Sequence, residues 1–149
     1  MNPLDLLPHR PPMRLLDEIV ELAAGESARG RRRLRADDFF FDGHFPGEPM
    51  VPASILVEML AQVGGLAAAA PAPASHAAGE LLRLRVAGLG PFKFPAAAKP
   101  GDVLDVQARV AGRFGGLYKI EGEVTADGRI VAAGSVTLGS AAGPSRADG

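Results

Sequence analysis

His44 and Glu58 are the residue types that proton transfer at carbon requires: an imidazole that titrates near neutrality and a carboxyl group among apolar neighbours. His44 lies in Gly43-His44-Phe45-Pro46-Gly47-Glu48-Pro49, a proline-stiffened loop that reads as a strand-to-helix connection. Glu58 falls about two turns into the apolar run that follows. Within one helical turn its neighbours are Ser54, Ile55, Ala61 and Gln62, and the helix carries no lysine or arginine. A carboxyl buried there without a cation is expected to have a raised pKa. Gln62, on the same helical face, is expected to hold it in one rotamer. A glutamate at a helix edge that reaches out to water is the competing reading. The free N–H groups of Ala53 and Ser54, at the positive end of the helix dipole, suit a developing oxyanion. Base, acid and oxyanion donors together point to proton abstraction beside a thioester carbonyl, with loss of a β-substituent.

These groups need a scaffold, and 149 residues, 47% of them apolar, suffice for one domain (1–149) with a full core. A net charge of −1 gives a nucleic-acid role no electrostatic support. The absence of cysteine excludes disulfides, thiolate metal ligands and a cysteine nucleophile. The first eight residues lack the basic start and long apolar core of a signal peptide. The most hydrophobic stretch, roughly 55–70, is interrupted by Glu58 and Gln62 and falls short of a membrane span. The expectation is a soluble, cytoplasmic chain with no membrane partner.

Periodicity places a short helical turn at 4–7 and strands at 13–22 and 27–35. Arginines 29, 31, 33 and 35 then share one face of the second strand. A loop over 37–51 leads into a helix from 53 to about 70, with Pro52 suited to its first position. An exposed, mobile loop is expected over 70–79 and a frayed polar tail over 140–149. Between them, strands are expected at 82–86, 103–110, 117–125 and 129–138, with Asp127-Gly128 as a two-residue hairpin. One long buried helix with five or six antiparallel strands implies an α+β fold in which the sheet wraps on the helix.

Four elements occur in order: Leu7-Pro8-His9-Arg10-Pro11-Pro12-Met13; Phe39-Phe40-Phe41-Asp42-Gly43-His44-Phe45-Pro46-Gly47; Glu58 with Ala61-Gln62; and Lys99-Pro100-Gly101-Asp102. In these the chain resembles the beta-hydroxyacyl-acyl-carrier-protein dehydratases of bacterial fatty-acid synthesis, the FabZ-type hot-dog enzymes. The resemblance implies a hot-dog fold in which His44 removes the C2 proton and Glu58 protonates or orients the departing C3 hydroxyl. It implies substrate contacts from Phe45, Gly47, Ala53, Ser54 and Gln62, no metal and no organic cofactor. It also implies that His44 of one subunit faces Glu58 of the other, so that a homodimer is the least functional unit and three dimers can assemble. Acyl carrier protein, bearing the acyl-phosphopantetheine substrate, is the implied partner. Glutamate at 58 favours plain dehydration over the dehydratase-isomerase branch. One departure stands out: the family has Pro-Gly followed by an apolar residue at the helix start, whereas this chain has Pro52-Ala53-Ser54. That leaves open a specialised substrate or a weakened enzyme.

Other residues have plainer readings. His9, between Pro8 and Arg10, is expected to be structural, and His76 solvated. The arginine row reads as an exposed strand face or, more sharply, as a docking patch for an acidic carrier protein. The cluster Phe39, Phe40, Phe41 and Phe45 reads as core or as a wall of the acyl tunnel. A thioesterase in which Glu58 activates water, and a non-catalytic acyl-binding subunit, are the alternative functions.

Overall fold

Apolar side chains on almost every face leave the central helix no stable place except the interior. It forms α1 (Ala53–Ala69), and from Met59 to Ala69 every residue is buried. The computed structural model describes residues 2–69 and 84–140, so the loop expected over 70–79 and most of the expected tail lie outside the described residues. Around α1 runs one sheet of six strands: β1 (Glu18–Ala23), β2 (Ser27–Arg33), β3 (Leu84–Lys93), β4 (Val103–Phe114), β5 (Leu117–Ala126) and β6 (Arg129–Ser140). Their order is β1-β2-β4-β5-β6-β3, and every pairing is antiparallel. This is the expected α+β arrangement, with four of the six strands after the helix.

The inward face of the sheet follows from alternation. Leu104, Val106 and Ala108 of β4 point at the helix, opposite Ala126, Val124 and Gly122 of β5. Truncating one of the large inward residues would cost about 2–5 kcal/mol, because the well-packed core could not close over the gap. The helix lies very close to the sheet at Gly64: a Cβ there would sit 2.6 Å from Ile120 Cγ2. Only glycine fits that approach. The Asp127-Gly128 hairpin forms as expected, with both residues at positive φ (51° and 79°), the combination a tight two-residue turn requires.

The first strand is shorter than expected. Residues 13–16 are not strand, and Leu15 and Leu16 are both buried, which breaks the alternation of a half-buried strand. Their backbone bonds instead to a side chain of α1: Leu15 N–H donates to Gln62 Oε1 (3.1 Å) and Met13 O accepts from Gln62 Nε2 (2.8 Å). The helix begins at Ala53, and Pro52 is the residue before it, its carbonyl accepting from Ile55 and Leu56 N–H.

The arginine row is largely compensated within the sheet. Arg29 Nε lies 3.0 Å from Asp105 Oδ1, close in distance although off hydrogen-bond alignment, and Arg31 lies 3.8 Å from the same carboxylate. Glu21, Glu18 and Asp17 take further ion pairs with Arg29, Arg31 and Arg35. The plainer reading of an exposed, ion-paired strand face is therefore the better one, and the row is not an uncompensated positive patch.

Candidate active site

Asp38 fixes the loop that carries His44. Its carboxylate accepts from Arg32 Nη2 (2.7 Å) and from the backbone N–H of Arg35 (2.9 Å), and Arg32 also lies over the Phe40 ring. Arg32 is the one arginine of β2 that points inward, buried beside Phe40 and Phe41 of the 3-10 turn Phe39–Phe41. From there the backbone steps directly to the histidine: His44 N–H donates to Phe41 O (3.0 Å), and His44 O accepts from Met50 N–H (2.9 Å). Phe45 and Glu48 exchange two backbone hydrogen bonds around Gly47, closing the tip. Val51 N–H then donates to Ala98 O, which ties the exit of the loop to the segment before β4. The Pro100-Gly101-Asp102 turn braces the entry, where Leu34 exchanges backbone hydrogen bonds with Gly101 and Asp102.

The half-buried His44 ring has its Nδ1 at 3.0 Å from Met50 O. A carbonyl can only accept, so Nδ1 carries the proton and Nε2 presents its lone pair. Phe45, 51% exposed, stacks on the imidazole with centroids 4.1 Å apart. Phe40 and Phe41 are core, so the aromatic cluster divides: two rings fill the interior, and Phe39 and Phe45 are exposed.

Glu58 is held by side chains rather than by backbone. Gln62 is 2% exposed, and its orientation is forced: Oε1 must face the Leu15 N–H and Nε2 must face Met13 O. Its second N–H then reaches Glu58 Oε2 at 3.0 Å. The rotamer-holding role expected of Gln62 is thus present in the geometry. His9 Nε2 lies 3.2 Å from the same Oε2. Sequence reasoning missed that contact, and it changes the electrostatics. Desolvation pushes the Glu58 carboxyl up, but the hydrogen bonds from His9 and Gln62 and the attraction of His9 together outweigh it. The net pKa lies below the ordinary value, the reverse of the expected rise.

Glu58, His9 and Gln62 line a cavity of about 340 Å³ whose other walls include Leu7, Ala61, Val86 and Leu138, with Arg85 of β3 as its one arginine. His44 is not among its walls, and no hydrogen bond or ion pair joins His44 to Glu58 within the chain. Ala53 and Ser54 are exposed, and their N–H groups make no hydrogen bond among the described residues, as oxyanion donors require. His76 lies outside the described residues.

The FabA-like domain family matches residues 7–135, a span that takes in His9, the His44 loop, Glu58 and Gln62. The chain belongs to that family. Among its relatives in the family, the 3-hydroxyacyl-acyl-carrier-protein dehydratase FabZ of Sorangium cellulosum is 33% identical over 133 residues, covering 89% of this chain and 84% of its own. The enzyme of the same name from Polynucleobacter necessarius is 35% identical over 134 residues, covering 90% and 87%. In fold the chain is similar to the dehydratase heterocomplex ApeI:P from Xenorhabdus doucetiae, with a TM-score of 0.71 at 18% identity over 98% of this chain and 93% of that one. The hot-dog fold expected of this FabZ-type chain is the one present.

Proposed function

We infer that this protein is a hydro-lyase that removes water from a 3-hydroxyacyl thioester, carried on acyl carrier protein, to give the trans-2-enoyl thioester. The observation that carries the reading is Glu58: a carboxyl held on one oxygen by Gln62 and His9, at the wall of a cavity with both polar and apolar lining, in a chain of the FabA-like family. His44 supplies the base. Its Nε2 lone pair takes the C2 proton, while Ala53 and Ser54 N–H face the thioester oxygen as charge develops there. The Glu58 carboxylate, ionised at neutral pH, accepts a hydrogen bond from the C3 hydroxyl and orients it for departure. The proton that completes the leaving water is the one His44 removed, so one imidazole acts as base and then as acid.

No hydrogen bond or ion pair joins His44 to Glu58 within one chain and His44 does not line the Glu58 cavity, which supports a site completed by a second copy, with His44 of one subunit serving Glu58 of the other. A homodimer is then the working unit, and a trimer of dimers repeats the same pair. Phe45 and Gly47 border the substrate on the histidine side, and the cavity beside Gln62 takes the start of the acyl chain. No helix among the described residues is long and apolar enough to cross a membrane, and the cytoplasm is the proposed setting.

The test is incubation of the intact protein with a 3-hydroxyacyl-carrier thioester, following the absorbance of the conjugated enoyl product with a thiol probe present. Enoyl product without thiol release is expected. Thiol release would replace this reading with the thioesterase, and silence in both channels, with reverse hydration also absent, would leave an acyl-binding subunit.

A further inference from the structure

Among the described residues His9 is the one titratable side chain in contact with Glu58, and it arrives from a different part of the chain. It sits in the Pro8-His9-Arg10 segment after the first 3-10 turn (Pro3–Leu6). Arg10 anchors that segment by donating to Leu7 O (2.7 Å) and His9 O (2.8 Å). Gln62 Nε2 donates to Glu58 Oε2 at 3.0 Å, and His9 Nε2 lies 3.2 Å from the same oxygen. Oε1 takes no hydrogen bond among the described residues. We propose that His9 is a positioning residue for Glu58: with Gln62 it commits Oε2 to the protein and reserves Oε1 for the substrate hydroxyl. This deepens the dehydratase reading and rests on it for the identity of the substrate, although the clamp itself is a property of the substrate-free chain.

The division between the two oxygens has a chemical consequence. An oxygen that accepts one N–H bond and has a ring nitrogen at 3.2 Å is a poor place for a proton, so whenever Glu58 carries one it sits on Oε1, pointed away from the clamp. The tautomer of His9 follows from its surroundings. Nδ1 is buried and has no partner among the described residues. Nε2, the ring nitrogen that faces Glu58, is the one that carries a hydrogen toward the carboxylate. Among the described residues the charged or titratable groups that line the cavity with Glu58 are His9 from the N-terminal segment and Arg85 from β3, with Gln62 as a neutral donor on α1.

The experiment reads the carboxyl directly. Glu58 is labelled with carbon-13 at its side-chain carboxyl and titrated by NMR in wild-type protein, in His9→Ala and in His9→Gln, without substrate. The glutamine keeps an N–H donor near the position of Nε2 but cannot titrate. His9→Ala should move the Glu58 titration to higher pH, because burial then acts with one donor fewer. His9→Gln should return it close to wild type. In steady-state assays His9→Ala should lower kcat by about tenfold to a hundredfold with little change in KM, the loss expected for a hydrogen bond to a charged group. His9→Gln should recover most of that rate. An unmoved Glu58 titration in a folded His9→Ala protein would overturn the proposal, as would a glutamine variant no better than alanine in both measurements. If the titration responds as expected while wild-type protein makes no enoyl product, the clamp stands and the dehydratase reading falls.

Discussion

The two candidate catalytic groups are held in opposite ways. His44 is set by its own neighbourhood: Phe41 O, Met50 N–H and Met50 O all lie within six residues of it. Glu58 is set by partners from distant parts of the chain, since Gln62 draws in Met13 and Leu15 from 49 and 47 residues away and His9 reaches it from the N-terminal segment. A locally built site tolerates change elsewhere in the fold. A remotely built one reports on the whole assembly. That contrast can be broken or sharpened in graded steps.

The largest effect falls on the groups themselves. His44→Ala and Glu58→Gln should each lower kcat by about a thousandfold or more, with the circular dichroism of the folded protein retained. A variant that kept more than a tenth of wild-type turnover would remove that residue from the chemistry. Next, Gln62→Leu strips the remote side of the contrast. It leaves the buried Leu15 N–H and the partly buried Met13 O without their partner and frees the Glu58 carboxyl, so both stability and turnover should fall, stability by about 1–3 kcal/mol in denaturant unfolding. An unchanged midpoint with lost turnover would mean that Gln62 serves the carboxyl alone. On the histidine side, Asp38→Ala leaves buried Arg32 uncompensated and should cost about 3–5 kcal/mol. Arg31→Gln, on the exposed row, should change stability by less than about 1 kcal/mol and should not alter KM for the carrier-bound substrate. A several-fold rise in that KM would return the row to consideration as a docking patch.

Much of this organisation is legible in the residues, and what is not has a physical reason. The helix start follows from an apolar run that begins just after Pro52, and the hairpin at Asp127-Gly128 follows from turn chemistry, because both signals are local. The strand at 13–22 fails at its start because a side chain, not a neighbouring strand, takes the backbone bonds of Met13 and Leu15. Periodicity cannot show such a partner. The sign of the Glu58 shift fails for the same reason. Its helical neighbours are readable by counting along α1, whereas His9 comes near only once the chain has folded. The one available hint was a buried glutamine, since an amide at the centre of an apolar helix must find partners somewhere. Arg32 hid among exposed arginines on alternate positions, and only its inward parity in β2 separates it from them.

Because one amide stitches residues 13–15 to the middle of α1, the carboxyl can be aimed only after the two ends of that seam have met. Sheet and helix can therefore be complete while the enzyme is still immature. A chain that folds its core but leaves its N-terminal segment loose, through truncation or an ill-placed fusion, would look native by secondary structure and lack a set Glu58. In refolding, activity should return later than helical signal, with the docking of the first fifteen residues as the step between.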